Sequence, residues 1–301
     1  FNWQQGCRLQ WLNKQRFIFN DFDSIKQKYV ARVVSSEDFV ESTYDFPVQD
    51  SYQEKFYISI NYQRLATLES DYGYYCLKNL SPKELNNYSN DGVWKVDLAS
   101  KRQNLIVSYD KIFALLPHKE FSEAYHVINH VQIAPDGKKL IFLHRYFVKN
   151  LRFDRLILLN LDGSQLELLA EADLISHYCW LSNSTLAVYM SEKNHDGAFF
   201  VVNIEDKSKT IIRSFLNFGD GHPSGDNEVC VVDAYPDRSG MQHLYISSNI
   251  HNNVAPNLIS KFYHPLKFSS HSRCDLHPRF DSSSNTIYVD SVFSGKRQLY
   301  R

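Results

Sequence analysis

The stretch that decides the architecture is GHPSGDNEVCVVDAYPD, residues 221–237. A His-Pro opens a short strand-like run, Gly-Asp-Asn supplies a hairpin turn, and an apolar β-branched run ends at Asp233 before a Tyr-Pro-Asp turn. Residues 276–292, LHPRFDSSSNTIYVDSV, repeat the phrase with Ser-Ser-Ser-Asn as the turn and Asp290 at the end. Two earlier copies are NHVQIAPDGKKLIFLHRY at 129–146 and SHYCWLSNSTLAVYMSE at 176–192. The opening histidines His130, His177, His222 and His277 are 47, 45 and 55 residues apart. Weaker copies begin at Gln5 and Phe46.

Each strand pair is followed by further strand-like runs, such as DRLILLNLDG at 154–163 and GAFFVVNIED at 197–206. Helical periodicity is nearly absent. Four strands recurring every ~45 residues describe the blades of an all-β propeller. Six blade openings are legible, and the last unit stops after its third strand. An upstream segment is therefore expected to close the ring, adding a seventh blade. Residues 63–91 fit the repeat least and are expected to be an inserted loop in the second blade of a single domain, 1–301.

Composition sets bounds on function. The chain has 301 residues, 43% of them apolar, and a net charge of −1. No global field points to nucleic acid or an anionic membrane, and no apolar run approaches the ~18 residues of a span. Five widely spaced cysteines argue against a disulfide framework. The sequence opens on Phe1, so a preceding segment is expected and the compartment stays open. Residues 261–301 hold seven Lys/Arg against three Asp, a local excess that favours an acidic ligand.

In a propeller, the residue opening a first strand and the residue ending the second lie on one face. This reading pairs His222 with Asp233, His277 with Asp290, His130 with His144, and His177 with Tyr189. The sharpest set is His222, Asp233, Cys274 and His277. Thiolate, imidazoles and carboxylate suit a tetrahedral Zn²⁺, with Mn²⁺ and Ca²⁺ fitting the donors less well. Cys274 could equally be a small buried hydrophobe. His130 and His144 are candidates for proton transfer, or could each satisfy a buried carbonyl. Arg145, Arg238, Lys296 and Arg297 could clamp a carboxylate, or be merely solvated. Tyr72–Tyr75, in YGYY, could stack on sugar rings or pack the insertion.

The motifs NWQQGCRLQWL, NHVQIAPDGKKLIFLHRY, SHYCW, GHPS…DAYPDR and RCDLHPRFD…DSVFSGKRQLY resemble the propeller polysaccharide lyases, of the ulvan-lyase-like and oligogalacturonate-lyase-like groups. The likeness runs from Asn2 to Tyr300 and is strongest in the last two blades. It implies a bacterial protein that cleaves a uronate-containing acidic polysaccharide by β-elimination. That chemistry needs a cation at the uronate carboxylate, a base for the C5 proton and an acid for the O4 leaving group. The resemblance places the metal at His222, Cys274 and His277, with Asp233 as fourth ligand. A thiolate where the oligogalacturonate type has glutamine implies a closed, structural zinc site. His130 or His144 would be the base, Tyr189 or Tyr235 the acid, and Arg145 or Arg238 the neutraliser. His177, Lys296 and Arg297 would contact substrate. No arginine lies between Tyr189 and Ile212, where the ulvan type carries its neutraliser. The rival reading is a glycan-binding or polysaccharide-assembly propeller that keeps the metal and has lost catalysis. A protein-interaction propeller is a third possibility.

Overall fold

A computed structural model of the chain describes residues 2, 4–35, 41–149, 151–191, 196–216, 218–250 and 254–301. Their strands form six antiparallel meanders in which neighbours in sequence are neighbours in the sheet. Five sheets have four strands and the sixth has three. By density of contact the chain falls into two compact units, Phe1–Ala170 and Glu171–Arg301.

In the first unit, the first sheet comprises Gln10–Trp11, Arg16–Asp23, Lys28–Ser35 and Glu41–Tyr44. The second comprises Asp50–Tyr52, Phe56–Ser59, Gly92–Asp97 and Gln103–Ser108, and the third Tyr125–Ile133, Lys139–Val148, Leu151–Asn160 and Leu166–Ala172. The apolar run LIFLHRY, 140–146, is buried along its whole length, as a central strand covered on both faces must be. The core gathers Ile58, Val93, Ile128, Phe142 and Ile157.

Between Ser59 and Gly92 the chain leaves the second sheet and forms two short helices, Tyr62–Leu68 and Pro82–Leu85. Asn61 caps the first, accepting from the N–H groups of Gln63 and Arg64. Ser81 and Glu84 form a capping box on the second. The excursion is anchored by Arg64, fully buried, whose Nε donates to Asp91 Oδ2 at 2.6 Å while Nη1 and Nη2 donate to the carbonyls of His126 and Leu85. Gly73 crosses the first helix so closely that a Cβ there would stand 2.1 Å from the Ala66 nitrogen.

In the second unit, the fourth sheet is Leu174–Trp180, Thr185–Ser191, Ala198–Asn203 and Lys209–Ile211. The fifth is Pro223–Gly225, Cys230–Asp233, Met241–Ser247 and Asn257–Tyr263; the sixth is Arg279–Asp281, Thr286–Ser291 and Gln298–Tyr300. Ala187, Phe199 and Val232 centre one cluster of its core, and Leu244, Leu276 and Val289 another. No helix among the described residues is long and apolar enough to cross a membrane.

Candidate metal centre

His177 lies within the first strand of the fourth sheet, His222 and His277 stand just before the first strands of the fifth and sixth, and their rings form a row. Ring centroids are 4.1 Å apart for His177 and His222, and 4.0 Å for His222 and His277. Each ring has a partner at Nδ1. His177 Nδ1 lies 2.9 Å from Asp220 Oδ1, which also accepts from the Ser176 hydroxyl. His222 Nδ1 lies 3.0 Å from both oxygens of Asp233. His277 Nδ1 lies 3.2 Å from the Asp275 carbonyl. In His222 and His277, a neutral imidazole that donates from Nδ1 offers Nε2 as a ligand atom, the arrangement that carboxylate and carbonyl partners impose on metal-binding histidines.

Among the described residues, the group of metal-ligating side chains that converges is His222, Asp275 and His277, with ligand atoms within 4.8 Å of one another. Asp275 is buried; Oδ1 accepts from Arg273 Nε at 2.9 Å, and Oδ2 has no hydrogen-bond partner. An orphaned carboxylate oxygen beside two imidazoles costs free energy unless a cation satisfies it. Two histidines and one carboxylate fit Zn²⁺ with a position left open.

Of the expected ligand set, His222 and His277 belong to this group, and Asp275 stands in it where Cys274 and Asp233 were expected. Cys274 and Asp275 are adjacent in the irregular segment before the strand Arg279–Asp281, in which His277 has φ 42°. Cys274 and Leu276, both wholly buried, turn to the interior, while Asp275 and His277 share the other side. The group that converges with His277 accordingly takes Asp275 and not Cys274. The Cys274 thiol donates weakly to the Asp275 carbonyl at 3.7 Å, and burial pushes its pKa up to about 11. Asp233 is a support: it also accepts from the backbone N–H groups of His222, at 2.6 Å, and His277, at 3.1 Å.

The electrostatics of the row are uneven. Burial disfavours the charged form of all three rings, but for His222 the charge and hydrogen bond of Asp233 outweigh it and raise the pKa. For His177 and His277 burial wins and holds them neutral. Burial alone would raise Asp233, yet His222 and His277 bring it down to about 2.

The other expected site residues are dispersed. His144 is fully buried in the first unit, and its Nε2 lies 3.0 Å from Nδ1 of His126, not beside His130. The cause is the strand Tyr125–Ile133, which starts five residues before His130 and carries a register shift opposite Ile141 and Leu143. His130 sits in that irregularity at φ 53° and meets Tyr72 edge-on at 5.1 Å. Arg145 is buried between Glu69, at 2.6 Å, and Asp154, at 3.2 Å, so its charge is spent within the fold. Tyr189 is buried against Phe199 and close under Gly197. Tyr235 stands edge-on to His222 at 5.9 Å, with the Arg273 guanidinium 4.7 Å from its ring centre. Arg238, Lys296 and Arg297 are exposed. Asp220, Asp275 and Arg273 were missed in sequence, although the last two flank Cys274 in RCDLHP.

No family model and no curated protein matches the sequence. Solved structures do. An oligogalacturonate lyase from Vibrio parahaemolyticus superposes with a TM-score of 0.65 at 16% identity, covering 96% of this chain and 74% of that one. A puromycin-hydrolyzing peptidase from Mycobacterium tuberculosis gives 0.57 at 11% identity, covering 99% of this chain, and an acylaminoacyl peptidase from Pyrococcus horikoshii gives 0.56 at 10%, covering 100%. The chain is a six-bladed β-propeller. It spans only 45% and 46% of the two peptidases. Identities this low establish the propeller and leave its chemistry to the residues at hand.

Proposed function

We propose that this propeller binds a divalent cation at His222, Asp275 and His277 and cleaves uronate-containing glycans by β-elimination. The unsatisfied Asp275 oxygen between two oriented imidazoles carries the reading, and the likeness in fold to an oligogalacturonate lyase supports it. A bound cation would supply positive charge to the uronate carboxylate, making the C5 proton more acidic. His177, beside His222 and kept neutral, is then the base for the C5 proton, its ring oriented by Asp220 through Nδ1. The electron pair left on C5 forms the C4–C5 double bond as the C4–O4 bond breaks. Tyr235, edge-on to His222, donates the proton to O4, and Arg273 adds positive charge beside it.

The test has two readouts. Chelator competition is expected to show stoichiometric Zn²⁺ or Mn²⁺ in the intact chain, weakened about tenfold or more by Asp275→Asn and little changed by Cys274→Ala. Ultraviolet absorbance of the new double bond is expected to rise on uronate polysaccharides, and His177→Ala is expected to abolish it while still binding the cation. Cation binding with no absorbance change across the panel leaves the glycan-binding reading. Asp275→Asn with undiminished cation affinity refutes the site.

A further inference from the structure

The excursion between Ser59 and Gly92 walls a cavity of about 420 Å³ in the first unit, inside the ~300–1,000 Å³ usual for small-molecule sites. One wall is aromatic. Phe46 and Trp94 stand 5.5 Å apart at 52°, both half-buried. Trp94 lies at a register shift in its strand pair with Gln103–Ser108, and such bulges re-aim side chains.

The floor is polar and already satisfied. Asn61 Nδ2 donates to Asp91 Oδ2 at 2.9 Å, and Asp91 also takes Arg64 and the Gly92 N–H. The rim is polar with capacity to spare. Asn90 Nδ2 donates to Asn87 Oδ1 at 3.0 Å, which leaves the Asn87 amide to donate and the Asn90 oxygen to accept. Both residues are exposed. Glu84 binds Ser81 through Oε2 and keeps Oε1. Lys28 pairs with Asp45 at 2.6 Å, so those charges offset, as do those of Arg64 and Asp91. Glu84 is the remaining charge of the lining, and the positive charge of Lys78 acts on it.

An apolar face beside interleaved donors and acceptors matches a pyranose ring, whose C–H edges meet an aromatic face while its hydroxyls both give and accept hydrogen bonds. Lys28, the cation among the described lining residues, is already paired with Asp45, so the cavity offers a carboxylate no free positive charge. From this we infer that the Phe46–Trp94 cavity is a neutral-sugar subsite, separate from the cation group and independent of whether the chain performs elimination. It would hold uncharged units of a glycan.

The test is calorimetric titration of the full chain, in chelator, with oligomers of glucose, xylose and mannose, and with oligogalacturonate as the charged comparison. At least one neutral oligomer is expected to bind with a Kd of roughly 1 mM or tighter. Trp94→Ala is expected to weaken it about tenfold, the upper range of a lost aromatic contact, and His222→Ala to leave it unchanged. Should Trp94→Ala fail to fold, the doubly exposed Asn87→Ala/Asn90→Ala variant decides, with an expected loss of several-fold. Overturning results are no neutral binding, neutral binding that these variants leave intact, or binding of oligogalacturonate alone that His222→Ala removes.

Discussion

His126 and His144 share one hydrogen bond in the first unit, and its direction can be assigned. His126 Nε2 faces the Phe121 carbonyl at 3.2 Å and must donate, so Nδ1 accepts from His144 Nε2. Both rings are neutral. Burial holds His126 down to about 4, with the charges of Arg64 and Arg155 adding to it, and holds His144 well below its usual value, with His126, Arg155 and His118 adding. Each histidine takes up a proton on unfolding once the pH falls below ~6.5, so stability is full above that value and declines towards about 4. Urea unfolding across this window is expected to show a loss of up to about 1.4 kcal/mol per pH unit for each histidine. His126→Asn is expected to flatten the slope. A pH-independent midpoint from 7 to about 4 would refute the assignment. His126 was readable in YHVINHVQI as part of a continuous strand, but the repeat drew attention to His130. The bulge that separates the two leaves no mark in the sequence.

At the scale of elements, the repeat was legible because hairpin turns and apolar runs recur, and each of the four histidine-led phrases spans the first hairpin of a sheet. Residues 63–91 were not legible beyond failing to fit. The helix Tyr62–Leu68 is seven residues long, too short for periodicity to announce, and it depends on tertiary anchoring. That anchor is the buried Arg64–Asp91 pair. Removing one member strands the other, at a cost of about 3–5 kcal/mol. Arg64→Met is expected to lower the unfolding midpoint accordingly, and the Arg64→Met/Asp91→Asn double variant to recover part of the loss. Equal stability of the single variant and the parent would show that the pair anchors nothing. Because Arg64 also holds the floor of the Phe46–Trp94 cavity, the single variant should lose sugar binding as well.

For the whole molecule, the propeller was expected from period and composition, and the comparisons bear it out. The candidate cation residues belong to residues 171–301 alone. A ligand bound only by the folded state stabilises it by about 2.7 kcal/mol at a hundredfold excess over Kd. Hydrogen exchange with saturating Zn²⁺ is expected to slow around residues 220–234 and 273–291, with no matching change in 1–170. Protection spread evenly over both units would contradict a site confined to the second.

The sixth blade ends on Gln298–Tyr300, a strand of three residues whose outer side has no neighbour in its sheet among the described residues. Unpaired backbone of this kind is a template on which another chain can crystallise a strand of its own. Here the template is short, and Lys296, Arg297 and Arg301 stand exposed around it. Two such margins brought together would oppose like charge to like charge. Like charge facing like charge disfavours the pairing of two such strands.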